Sequence, residues 1–149
     1  MNTSPFVSNY GTNTSVNEIN ISSFLTGSTS NPTAGTGSYA RYQKIGSIVN
    51  LEFKYIFATT ITTGNIRINL PLPINTNYPK PQSIAHIRYS GTSTGQVFPC
   101  LYNEVSASIL AIVSSTTYGG VPANFTSASP QAGLGINDII TGVIFYETG

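Results

Sequence analysis

The chain has 149 residues, enough for one domain with a real hydrophobic core and too few for two comfortable ones. Charged residues make up 7% of it against roughly 25% in an average soluble domain, so Ser, Thr, Asn and backbone groups must solvate its surface. Six Lys and Arg against five Asp and Glu leave a formal charge of +1, which excludes the multi-phosphate contacts of a nucleic-acid binder, and no apolar run reaches the ~20 residues of a membrane helix.

The N-terminus, Met1-Asn2-Thr3-Ser4, lacks the basic and apolar regions of a secretory signal, so no Sec export is expected. Residues 1–36 read as an N-terminal arm. It holds a weak strand across Val16 to Leu25, then a Gly-, Ser- and Thr-rich stretch, Thr26 to Gly37, that is either a long loop or a linker. Residues 37–149 read as the head, within a single domain overall. Nowhere does a 3.6-residue apolar period persist for three turns, whereas Thr, Ile, Val, Tyr and Phe recur in short runs broken by Gly, Pro, Asn and Ser; the expectation is all-β.

Ser38 to Ile45 and Ser47 to Ala58 form the first hairpin, turned at Gly46-Ser47. In its second arm Val49, Leu51, Phe53, Tyr55 and Phe57 alternate with Asn50, Glu52 and Lys54, the period of two that places one set in the core and the other in water. Ile66, Ile68 and Leu70 follow Gly64-Asn65 and stop at Pro71 and Pro73, which cannot donate to a ladder. Further strands are expected at Ile84 to Tyr89, Gln96 to Tyr102, Ala107 to Val113 and Ile136 to Glu147, with a turn at Asn103-Glu104. The last is apolar on both faces, Ile139, Val143 and Phe145 on one and Ile140, Ile144 and Tyr146 on the other, which suggests that one face meets another subunit. Ile140, Ile144 and Tyr146 are taken as that contact. Eight antiparallel strands in this length suit a jelly-roll sandwich.

Three segments carry a resemblance. Gly37-Ser38-Tyr39-Ala40-Arg41-Tyr42-Gln43-Lys44-Ile45-Gly46-Ser47-Ile48-Val49-Asn50-Leu51 resembles the opening of phage tail-fibre and virion-fibre head domains. Gly64-Asn65-Ile66-Arg67-Ile68-Asn69-Leu70-Pro71-Leu72-Pro73 is similar to their glycine-led strand with a Leu-Pro-x-Pro step, and Gly135 to Thr148 to their final strand ending in Tyr-Glu-Thr. Covering roughly residues 37 to 148 in order, the resemblance implies a homotrimeric jelly roll on the virion surface, in contact with other virion proteins. Its role would be host attachment or capsid decoration. The rivals are a glycan-cleaving fibre domain and a non-viral lectin-like adhesin.

Little in the chain points to catalysis or metal binding. The acids Glu18, Glu52, Glu104, Asp138 and Glu147 are scattered, whereas a glycosidase needs two carboxylates at a fixed separation across a cleft. His86 is the only histidine, so a zinc site of Cys and His within one chain is excluded, and no Gly-x-Ser-x-Gly elbow or phosphate loop occurs. The lone Cys100 reads as a small buried strand residue. No enzyme activity, cofactor or metal is expected, and neither nucleic acid nor membrane insertion is.

Strict antiparallel alternation of eight strands would gather the connections Thr26 to Gly37, Thr60 to Asn65, Ser90 to Gly95 and Ser114 to Gly135 at one end. The turns at Gly46, Pro71 to Ser83 and Asn103-Glu104 would then lie at the other, with the termini. Recognition usually resides in loops on a rigid scaffold, so Tyr118, Asn124, Phe125 and Asn65 are the expected contacts for a host surface glycan or protein receptor.

Overall fold

The computed structural model describes residues 15–27, 30–59, 66–77, 83–92, 95, 97–114 and 134–149. Within them are nine strands: β1 (Asn17–Glu18), β2 (Leu25–Gly27), β3 (Tyr39–Ile45), β4 (Ile48–Ile56), β5 (Ile66–Asn69), β6 (Ser83–Ser90), β7 (Val97–Ser106), β8 (Ile109–Ser114) and β9 (Ile139–Glu147). One helical turn, α1 (Ile21–Phe24), lies between β1 and β2. The protein is all-β, as its alternating pattern requires, with nine strands among the described residues where eight were expected.

All nine belong to one antiparallel ladder in the order β1-β3-β4-β9-β6-β7-β8-β5-β2. Its two outermost strands, β1 and β2, are neighbours in the chain, joined by residues 19–24. Laid flat, nine strands at roughly 4.8 Å spacing would be about 38 Å wide. The link from Glu18 to Leu25 spans no more than about 25 Å fully extended, and less with a helical turn in it. The ladder is therefore rolled, and the short link holds its edges near each other. Inside the roll, β4 pairs with β9, β5 with β8 and β6 with β7, a nested set of antiparallel pairs.

The expected strand across Val16 to Leu25 is broken at Asn20, whose side chain accepts from the Ser22 amide at 3.1 Å and caps the helical turn. That turn delivers Phe24 and Leu25, both fully buried, to the core. Phe24 meets Phe53 of β4 at 5.0 Å between ring centroids, so the N-terminal segment is built into the same core as the head.

In β4, Val49, Leu51, Phe53, Tyr55 and the following Phe57 are all buried, as their alternation predicts. β9 corrects the expected subunit contact. Ile140, Ile144 and Tyr146 are 0%, 0% and 3% exposed within a single chain, so they line the core and are not free to meet another subunit. The reason is register: they lie opposite Tyr55, Leu51 and Val49, whose inward direction is unambiguous, and directly opposed residues share a face. Phe145, 44% exposed, stands on the outer face.

A second correction concerns Asn103-Glu104, which lies inside β7; the turn falls at Ala107-Ser108. β7 pairs with β6 only from Val97 to Cys100, then diverges to pair with β8, bulging between Glu104 and Ser106. The Glu104 carboxylate bridges the gap by accepting from the amide and hydroxyl of Ser83 at 2.9 and 2.7 Å, and the Tyr102 hydroxyl donates to the Ser83 carbonyl at 2.7 Å. Extended backbone at 103 and 104 is what lets Glu104 reach β6.

Candidate functional site

Strand direction sorts the connections. By register, the start of β3, the end of β4, the start of β5, the end of β6, the start of β7, the end of β8 and the start of β9 all lie at one end of the roll. The described flanking residues 30–38, 57–59, 91–92 and 134–138 therefore lie there. The turns at Gly46-Ser47 and Ala107-Ser108, residues 70–77 and the end of β9 occupy the opposite end.

At the loop end the frame is built on β4. Gly35-Thr36-Gly37-Ser38 and Gly135-Ile136-Asn137-Asp138 each close a turn, with Ser38 and Asp138 amides donating to the Gly35 and Gly135 carbonyls at 3.1 and 3.2 Å. The third residue of each has positive φ, 89° at Gly37 and 69° at Asn137, as a type II turn demands at that place. Asn tolerates this conformation better than most residues with a side chain. Both turns then dock on the end of β4, one through the Gly35 amide to the Ile56 carbonyl at 2.7 Å, the other through the Asn137 amide to the Phe57 carbonyl at 2.8 Å. The Ser38 hydroxyl accepts from the Ile56 amide at 2.9 Å.

Asp138 ties these pieces together. It is 1% exposed, and its carboxylate accepts from the Tyr89 hydroxyl at 2.8 Å, the Thr92 amide at 2.9 Å and the Gly135 amide at 2.6 Å. A carboxylate without solvent is tolerable only when donors replace the water it lost, and three do so here. Thr92 adds a hydroxyl donated to the Asn137 carbonyl at 2.5 Å. The connections after β6 and before β9 are thus locked to each other, and Tyr55 fixes a third by donating to the Pro32 carbonyl at 3.0 Å. Sequence reasoning treated Asp138 only as one scattered acid. The signal available was Gly135-Ile136-Asn137-Asp138 itself, a turn sequence just ahead of a strand, echoing Gly35-Thr36-Gly37-Ser38.

Tyr118, Asn124, Phe125 and Asn65 lie outside the described residues. The other acids are dispersed: Glu52 pairs with Arg41 on the outer face of β3 and β4, Glu104 serves Ser83, and Glu18 and Glu147 lie on β1 and at the end of β9. His86 is exposed on the outer face of β6. Among the described residues no three of His, Cys, Asp and Glu gather as metal ligands, and no helix is long and apolar enough to cross a membrane. Cys100 is buried, and burial pushes its thiol up to about 12, so almost no thiolate forms at neutral pH. Compared with protein-family models, curated proteins and solved structures, the chain matches none.

Proposed function

We propose that this chain is a non-enzymatic structural protein of a virion. In this reading it is the head of a fibre or spike, a jelly-roll sandwich acting as a homotrimer in host attachment or capsid decoration at the particle surface. The nested pairing of β4 with β9, β5 with β8 and β6 with β7 supports the jelly roll. The observation that carries the functional reading is the polarity of the roll. At one end Asp138 and the two turns on β4 brace the described flanks of four connections, at Pro32, Phe57, Thr92 and Gly135, while the tight turns Gly46-Ser47 and Ala107-Ser108, residues 70–77 and the end of β9 lie at the other. A domain mounted by the second end presents the first, and three copies multiply a weak contact by avidity. Glycan or protein receptors are the partners that end would meet.

Trimer contacts in this reading belong to one end of the outer face of β4, β9 and β6, toward the Gly46-Ser47 turn, where Ile48, Phe145 and Ile84 are 48%, 44% and 75% exposed. Light scattering after size exclusion, paired with binding of the purified chain to host cells, tests the proposal. A trimer that attaches is expected. A monomer at micromolar concentration with no attachment would overturn it.

A further inference from the structure

The chain carries few charges, and several of them share one place. Register sets Tyr39, Lys54, Thr141 and Arg88 in one row across the outer face of β3, β4, β9 and β6, with Arg41, Glu52, Val143 and His86 in the next. In the middle strand, Thr141 and Val143 are short, whereas the flanking strands bear long Lys54 and Arg88. This contrast leaves a depression of about 270 Å3 whose lining includes Tyr39, Lys54, His86, Arg88 and Thr141 and also the Glu52 carboxylate. Pockets for drug-sized ligands run from roughly 300 Å3 upward, so this one suits a single sugar ring.

The charges in and beside it do not cancel. Glu52 is engaged by Arg41, whose guanidinium also lies over the Tyr39 ring at 5.4 Å and holds that ring at the rim. Among the described residues no carboxylate pairs with Lys54 or Arg88. Their strands are two spacings apart, roughly 10 Å, and both side chains are long enough to bring their cationic ends together above Thr141. An anion placed there would relieve their mutual repulsion and accept hydrogen bonds from both, with the Thr141 hydroxyl beneath and the Tyr39 ring at the side.

We infer that this depression, on the outer sheet face beside the loop end, binds an acidic saccharide through the carboxylate or sulfate of one sugar ring. Two cations over a hydroxyl supply the anion contact. The aromatic rim and shallow open floor suit a sugar ring better than the extended chain of an acidic peptide, which would need a continuous track of cations. The inference rests on the sheet face alone and stands or falls separately from the fibre reading.

The full-length chain is titrated by NMR or calorimetry with sialyllactose, sulfated lactose, neutral lactose, inorganic sulfate and a tetra-glutamate peptide. Saturable binding of one or both acidic sugars, weakened by salt and absent for neutral lactose, is expected; which of them binds identifies the anion. Arg88→Gln and Lys54→Gln should each weaken it by about tenfold, the value of one charge-assisted hydrogen bond. Arg67→Gln, on β5, should leave it unchanged. Melting temperatures of all variants separate lost binding from lost folding. No binding of either acidic sugar, equal binding of inorganic sulfate or the peptide, or binding indifferent to Lys54 and Arg88 would each overturn the inference. Oligomeric state and cell attachment do not enter the readout.

Discussion

Phe53 lies directly over Gly142: a Cβ added at Gly142 would come within 2.6 and 2.8 Å of two of its ring atoms and 3.1 Å of Ile87. The two residues are register partners on β4 and β9, and the ring also packs on Phe24. Glycine in a strand interior commonly marks such a close approach. Gly142→Ala should therefore destabilise the fold by about 1–3 kcal/mol, an overpacking cost, and Gly142→Val by more. Thermal unfolding measures this, and combining Gly142→Ala with Phe53→Leu should recover part of the loss.

At the loop end, Tyr89→Phe removes one of three donors to the buried Asp138 carboxylate and should cost about 1.5–3 kcal/mol. Asp138→Ala strands all three donors and should cost more. Hydrogen exchange should then show faster opening at the amides of Thr92 and Gly135, which both donate to Asp138, than at the turn of Gly46 and Ser47.

Substitutions along β9 should separate folding from assembly. Ile144→Asp places a carboxylate in the core of one chain and should abolish folding, seen as loss of a cooperative melt. Phe145→Asp, on the exposed face, should leave the melt within about 0.5 kcal/mol while dissociating the proposed trimer, read by light scattering. Equal damage to folding from both would contradict the assignment of faces.

Alkaline pH should unfold the protein. Burial raises the Tyr55 and Tyr146 phenols from 10.0, and the Cys100 thiol from 9.0, to about 12. A group with a raised folded pKa contributes stability fully below its unfolded value and loses that contribution as pH climbs through the folded one. Melting temperature should therefore stay level to about pH 9 and fall between roughly pH 10 and 12. Tyr146→Phe, which gives up the 2.9 Å bond to the Leu72 carbonyl, should be less stable than the parent at neutral pH, with the gap narrowing in that window. Cys100 in the folded chain should resist alkylation at about pH 8.

The tyrosines show where local pattern stopped being informative. Their place within strands was legible, but Tyr55, Tyr89 and Tyr146 are almost wholly buried and donate to Pro32, Asp138 and Leu72 in irregular segments 23, 49 and 74 residues away. Such bonds depend on which loops the roll brings over each strand end, and no local periodicity encodes that. The same holds for the N-terminal segment, where a polar cap at Asn20 overrode the strand propensity around it.

The sequence by itself determined that the chain is β, where its principal strands run, and which face of β4 is inward. A period of two with polar residues on one side admits a single arrangement in water. It could not decide between the faces of β9, because Ile139, Val143 and Phe145 are as apolar as Ile140, Ile144 and Tyr146 and a period of two carries no sign when both phases are greasy. Only the tertiary structure decided it. Paired to β4 with Leu51 opposite Ile144 and Val49 opposite Tyr146, β9 takes its inward face from its neighbour, because residues directly opposed in a ladder must point the same way.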